Sequence, residues 1–79
     1  METNTIYVYL LDEGTDVWRP VEAQEVGNCV YKIVSVNTNP EDEEWQFKTG
    51  SIVRCRKMKL SQGERIVAFE CVGTPIVNN

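Results

Sequence analysis

The sequence predicts a small all-β domain, specifically a five-stranded SH3-like barrel. Segments rich in β-branched and aromatic residues recur at short spacing, turn-forming residues separate them, and no segment is long enough for a useful helix. The 79 residues suffice for one domain. An OB-like barrel or a small antiparallel sandwich is the alternative, although OB folds usually need a longer chain and a helix between strands three and four.

The first two strands are predicted at residues 6–11 and 17–26. The first reads IYVYLL, a density of β-branched and aromatic residues that is typical of a central strand. The turn between them spans residues 12–16, where Gly14 can adopt a positive φ. Pro20 has no N–H to donate to a ladder, so we expect it at an edge, a bulge or a bend.

A two-residue hairpin turn is predicted at Gly27-Asn28, where a glycine in the first position favours a type II′ turn. The third strand then covers residues 29–36. Residues 37–44 are expected to form a loop with room for no more than a short helical turn.

The fourth and fifth strands are predicted at residues 51–60 and 64–72, joined by a turn at 61–63. We expect one β-barrel domain over residues 1–72 and a loose tail at 73–79. Five short antiparallel strands would leave two edges exposed, and closure of the sheet on itself removes that aggregation risk.

The chain has three cysteines and no histidine, which limits its chemistry. A three-residue turn pairing Ser61 with Arg65 would set Cys55 opposite Cys71, and we interpret both as small apolar core residues rather than a disulfide. The usual base for a serine or cysteine nucleophile is missing, as are zinc-site and phosphate-loop motifs. We therefore expect no catalytic centre, no metal and no cofactor.

The charge is unevenly distributed along the chain. The net charge is −4, but residues 1–44 carry a balance of −8 and residues 45–79 a balance of +4. The acidic total disfavours nucleic acid as the main ligand, since phosphate neutralisation dominates that affinity. The polar N-terminus does not resemble a signal peptide, and no apolar run reaches the roughly 20 residues of a membrane span. We expect a cytoplasmic protein.

An acidic run followed by an aromatic residue marks a candidate protein-binding site. Such a loop, ending in an exposed ring at Trp45, would suit docking on a basic partner. The alternative is a solubilising loop, with Trp45 and Phe47 capping the core. The acids of the run are Glu41, Asp42, Glu43 and Glu44.

Aromatic residues in the first two strands form a second candidate surface. Tyr7 and Tyr9 share one face of the first strand, so they form an outward strip if the aliphatic face is the core. Trp18 and Arg19 could add a floor for a peptide or a base. The alternative is that Trp18 closes one barrel end and both tyrosines are buried, with their hydroxyls at the rim.

Basic residues concentrate in the fourth strand and suggest a nucleic-acid-binding hairpin. Their positions alternate between the two faces of the strand, and no aromatic residue interleaves with them along the chain. A charged edge strand that resists aggregation is the alternative. The candidate residues are Arg54, Arg56, Lys57, Lys59 and Arg65.

Two stretches carry a resemblance to a family. Residues 13–21 read EGTDVWRPV, and residues 45–55 follow the pattern W-x-F-x-x-G-x-x-V-R-C. The chain resembles a group of small uncharacterised bacterial proteins with similar stretches, over residues 6–70. The resemblance implies a stand-alone bacterial domain and no particular activity.

These observations favour a non-catalytic protein-binding module or inhibitor that docks acidic loops and aromatics on a larger, basic partner protein. The alternative is a small-barrel nucleic-acid-binding protein that uses the basic hairpin. A structural or homo-oligomeric subunit without a ligand is a third possibility.

Overall fold

A computed structural model describes residues 3–38 and 41–73 of the chain, and strands make up 64 % of them. No helix occurs within these described residues, which confirms the all-β prediction. The strands are β1 Asn4–Leu11, β2 Trp18–Gly27, β3 Val30–Ile33, β4 Glu44–Trp45, β5 Ile52–Leu60 and β6 Gly63–Gly73.

Five of the strands form a ring. The pairs β1–β2, β2–β3, β3–β5 and β5–β6 are antiparallel, and β1 meets β6 where Tyr7 lies opposite Val67. Four antiparallel steps return the chain to its starting direction, so the closing pair has to be parallel, as it is. The two-residue strand β4 adds to the far end of β1.

The core occupies the inside of this ring. In β1 the residues Ile6, Val8 and Leu10 are buried, while Tyr7 and Tyr9 are half-buried on the opposite face. The aliphatic face is therefore the core, and the tyrosine face is the outward one. Burying each large aliphatic side chain of this kind stabilises the fold by about 1.5–3 kcal/mol. The remaining buried residues of the cluster are Val21, Ala23, Tyr31, Ile33, Trp45, Val53, Cys55 and Ala68.

The hairpin turn between β2 and β3 lies one residue later than predicted. Gly27 pairs with Val30, so Asn28 and Cys29 form the turn, and Cys29 rather than Gly27 has a positive φ, 61°. The cause is a bulge in β2, where Val26 has no partner and shifts the ladder. The predicted type II′ turn at Gly27-Asn28 is therefore wrong.

The β5–β6 turn contains two residues rather than three. Leu60 pairs with Gly63, whose φ of 119° suits glycine. This register continues unbroken from the turn and places Cys55 opposite Ala68. The predicted alignment of Cys55 with Cys71 is wrong, because a shift beyond Cys55 pairs Cys71 with Val53. Cys55 is buried as predicted, but Cys71 is exposed, so its interpretation as a core residue is also wrong.

Other strand predictions differ at their ends. The third strand stops at Ile33 rather than at residue 36, because the next two residues donate backbone hydrogen bonds to the Glu22 carbonyl instead. Pro20 lies in the part of β2 that pairs with β1 alone, where its missing N–H disrupts no ladder. Gly73 belongs to β6, and the rest of the predicted tail, 74–79, lies outside the described residues.

Candidate functional site

Glu43 is the best-connected acid of the acidic run. Its carboxylate forms an ion pair with Arg19, whose Nε donates to Oε1 at 3.0 Å, and the indole Nε1 of Trp45 donates to the same oxygen at 3.2 Å. Its backbone carbonyl accepts from the Asn37 amide at 2.8 Å. Hydrogen bonding from Arg19 lowers the pKa of Glu43, partial burial opposes that shift, and Trp45 adds to it.

These contacts change the role expected for two predicted site residues, Trp45 and Arg19. Trp45 is 5 % exposed and belongs to the core, so the expectation of an exposed docking ring at this position is wrong. Arg19 is half-exposed, but its guanidinium is already paired with Glu43. Phe47 packs against the core, as the alternative interpretation of the loop expects.

The remaining acids of the run are exposed and adjoin a second acidic loop. Leu11 pairs with Glu44, and Asp12 follows directly, so the β1–β2 turn lies beside the residues that precede β4. Together these exposed carboxylates form what we call the acidic end, composed of Asp12, Glu13, Glu41, Asp42 and Glu44.

A surface cavity of about 480 Å³ borders the acidic end at Glu44. Its lining includes Val36, which is 69 % exposed, together with Glu44, Trp45 and Lys48. A smaller cavity of about 220 Å³ shares Val36 and lies on the Arg19 side. Exposed carboxylates of the acidic end therefore lie near the exposed side chain of Val36, which nothing in the sequence pattern distinguishes.

The aromatic residues of β1 and β2 meet on the outer face. The rings of Tyr9 and Trp18 are edge to face, with centroids 5.1 Å apart, and the two residues pair directly across the strands. The Tyr9 hydroxyl donates to Asp16 at 3.0 Å, and this bond together with the Asp16 charge raises the pKa of Tyr9. Neither ring is fully exposed, so the outcome lies between the two predicted alternatives.

The basic residues of the β5–β6 hairpin have two different environments. Arg54 pairs with Glu70 at 2.9 Å. Arg56, Lys57, Lys59 and Arg65 form no ion pair within residues 3–38 and 41–73. Arg54 therefore differs from the other predicted nucleic-acid-binding residues, because its charge is already neutralised.

Aromatic rings lie beside this hairpin, although the sequence pattern indicates none. The Arg56 guanidinium is 4.8 Å from the centroid of the Phe69 ring, and that of Arg65 is 6.0 Å from the Tyr7 ring. Phe69 has this position because it is the unpaired residue where the β5–β6 ladder shifts. Tyr7 comes from β1 through the ring closure, which is a long-range contact.

The three thiols offer no assembled redox or metal site. None forms a disulfide; Cys29 and Cys71 are exposed, and burial raises the pKa of the Cys55 thiol to about 11. In the part of the chain that the structure describes, no three Cys, Asp or Glu side chains are grouped as they would be around a metal ion.

No family model matches the chain, and neither the curated proteins nor the solved structures contain a significant match. The resemblance to the small bacterial proteins therefore stays a prediction. None of the described residues belongs to a helix that is long and apolar enough to cross a membrane.

Proposed function

We propose that this protein is a non-catalytic module that docks its acidic end on the basic surface of a larger partner protein. The observation that carries the proposal is the Leu11–Glu44 pair, which places two acidic loops side by side. Five exposed carboxylates at one end of a domain this small produce a local negative field, and such fields steer and orient a basic partner.

The exposed side chain of Val36 supports a protein as the ligand. It lines the cavity at the acidic end and is 69 % exposed, which is unusual for a valine. The same cavity is lined by Glu43, Glu44 and Lys48. An apolar contact with charged neighbours is the arrangement of a protein interface, which has an apolar centre and a polar rim. The partner surface would then present Lys or Arg side chains around an apolar one.

The acids of the run have separate roles in this proposal. Glu41, Asp42 and Glu44 are free to contact a partner, while Glu43 and Trp45 hold the loop in place. A charge reversal that includes Glu43 would remove the contacts that hold the loop as well as change the interface, so the test leaves Glu43 unchanged.

The test compares two variants with the same change in net charge. Immobilised wild type, E41K/E44K and the control E25K/E70K, whose acids are exposed away from the acidic end and outside the other cavities described, are incubated with host extract. The most strongly retained basic protein is identified by mass spectrometry, purified and titrated. We expect wild type and control to bind alike and E41K/E44K to bind about tenfold or more weakly, with affinity that falls as salt rises. Equal binding by all three chains would overturn the proposal.

The proposal includes an SH3-like form for the five-strand ring and a cytoplasmic location. The SH3-like form is supported by the order of the strands and by a β3–β5 connection in which the described residues contain β4 rather than the helix of an OB fold. A reducing compartment is supported by three cysteines without a disulfide. An experimental structure and fractionation of host cells would test the two points.

A further inference from the structure

A second groove lies where β1 and β6 separate. The described residues of these strands pair at Tyr7 and Val67, and beyond this point a cavity of about 440 Å³ opens between β1 and the β5–β6 hairpin. Its lining comes from three strands and has aromatic, basic and acidic members. We call this the basic groove, lined by Thr5, Tyr7, Lys57, Glu64, Arg65 and Ile66.

The cations of the basic groove are available to an anionic ligand. Arg19 and Arg54 have carboxylate partners, whereas Lys57 and Arg65 have none among the described residues. Arg65 is also held in position, because its Nη1 and Nη2 donate to the carbonyls of Glu64 and Gln62 at 2.9 and 3.3 Å. A positioned guanidinium without a counter-charge is well suited to a phosphate.

The groove also offers a surface for stacking. The Arg65 guanidinium lies 6.0 Å from the Tyr7 ring, so an aromatic face and a planar cation line the same cavity. Ladder pairs connect Pro20, Tyr7, Val67 and Arg56 across four strands, although the side chain of Val67 is itself fully buried. A second contact between a guanidinium and a ring, that of Arg56 with Phe69, lies outside the groove on the same hairpin.

We propose that the basic groove binds a short segment of single-stranded nucleic acid, with a base stacked at Tyr7 and the flanking phosphates on Lys57 and Arg65. A carboxylate-rich peptide would use the cations but has no need of the aromatic surface, whereas bases stack on rings and guanidinium planes. This site and ligand are separate from the acidic end and its partner, so each proposal can fail without the other.

The charges in and around the groove determine the affinity that we expect for nucleic acid. Glu64 lines the groove, so its carboxylate opposes phosphate binding there. It lies opposite Lys59 in the β5–β6 ladder, without an ion pair between the two side chains. With a net charge of −4 on the whole chain, we expect weak binding that depends strongly on salt. With two phosphate contacts, a plot of the logarithm of the binding constant against the logarithm of the salt concentration should have a slope of about −1.4.

The test uses fluorescein-labelled octathymidylate and octauridylate, titrated with the full chain at low salt and followed by fluorescence anisotropy. We expect binding that K57A/R65A weakens about tenfold or more, with a salt slope near zero. Y7L removes the stacking surface and should weaken the affinity for the oligonucleotides about tenfold. The charge-matched control K32A/K48A, which changes two exposed lysines outside the groove, should bind like wild type.

Two further measurements keep the test decisive. E64Q removes an opposing charge without removing a contact, so it should tighten binding, and this readout does not depend on Y7L remaining folded. Polyphosphate of similar charge should compete poorly, because it has no bases. Absence of binding at low salt, equal effects of K57A/R65A and K32A/K48A, or full competition by polyphosphate would each overturn the proposal.

Discussion

The guanidinium of Arg19 and the carboxylate of Glu43 face each other across 24 residues of sequence and form two hydrogen bonds. Arg19 is in β2, and Glu43 directly precedes β4, which pairs with β1. The ion pair therefore fastens the acidic loop to the ring, and the indole of Trp45 strengthens it from the core side. An acid from the middle of a charged run thus holds its neighbours in place.

Replacing Glu43 by Gln should destabilise the fold by about 1 kcal/mol, because a charge-assisted pair is lost at a partly exposed site where solvent weakens it. Since its folded pKa is lowered, the carboxylate stabilises the fold above its ordinary pKa of 4.5, and this contribution is lost as the pH falls through the folded value. Urea unfolding of wild type and Glu43→Gln should show a difference in the free energy of unfolding that is smaller at pH 3 than at pH 7. Glu44→Gln, at an exposed position, should change little at either pH.

The strands were predictable because their signals are local. Alternation in IYVYLL separates an aliphatic face from a tyrosine face, although the sequence left open whether both are buried. Gly63 marks the β5–β6 turn with a conformation that glycine adopts readily. The β2–β3 turn was predicted one residue too early, and the predicted β5–β6 register was three residues off, since Cys55 lies opposite Ala68 rather than Cys71. In β2 the bulge at Val26 decides the register, and no propensity of valine signals a bulge.

The contacts at the two candidate sites were less predictable, because they join distant segments. No local pattern indicates that Glu43, and not Glu44, meets Arg19, or that Tyr7 approaches Arg65 through the closing pair. The burial of Trp45 follows from pairing with Leu10, a contact between β1 and a strand of two residues that the sequence did not reveal.

Truncating Trp45 should be far more costly than a conservative change. Trp45→Ala leaves a cavity in the core and is expected to lower the free energy of unfolding by about 3–5 kcal/mol. Trp45→Phe keeps most of the apolar contact but loses the indole N–H hydrogen bond to Glu43, so it should lower the free energy of unfolding by only about 1–2 kcal/mol. Chemical denaturation followed by the fluorescence of Trp18 measures both. A loss below 1 kcal/mol for Trp45→Ala would contradict the placement of this ring in the core.

Cys29 offers a site for stabilisation. Its φ of 61° is in the left-handed region, which costs a residue with a side chain about 1 kcal/mol relative to glycine. Cys29→Gly should therefore raise the melting temperature. The matched control is Cys71→Gly, an exposed position inside β6 with ordinary strand geometry, where glycine should destabilise by about 0.5–1 kcal/mol. Destabilisation of similar size in both variants would show that the turn does not have the conformation described.

The three thiols should react in two classes. Cys29 and Cys71 are exposed, whereas Cys55 is buried in the core with its pKa raised to about 11. At pH 8 about one Cys55 thiol in a thousand is ionised even before access is considered, and the thiolate is the reactive form. An aromatic disulfide reagent should therefore titrate two thiols quickly and the third only after denaturant is added. In Cys55→Ala the slow class should disappear while the two fast thiols keep their rates. Three fast thiols in the native wild type would mean that the β5 face carrying Cys55 is open to solvent, which would contradict the core described for the ring.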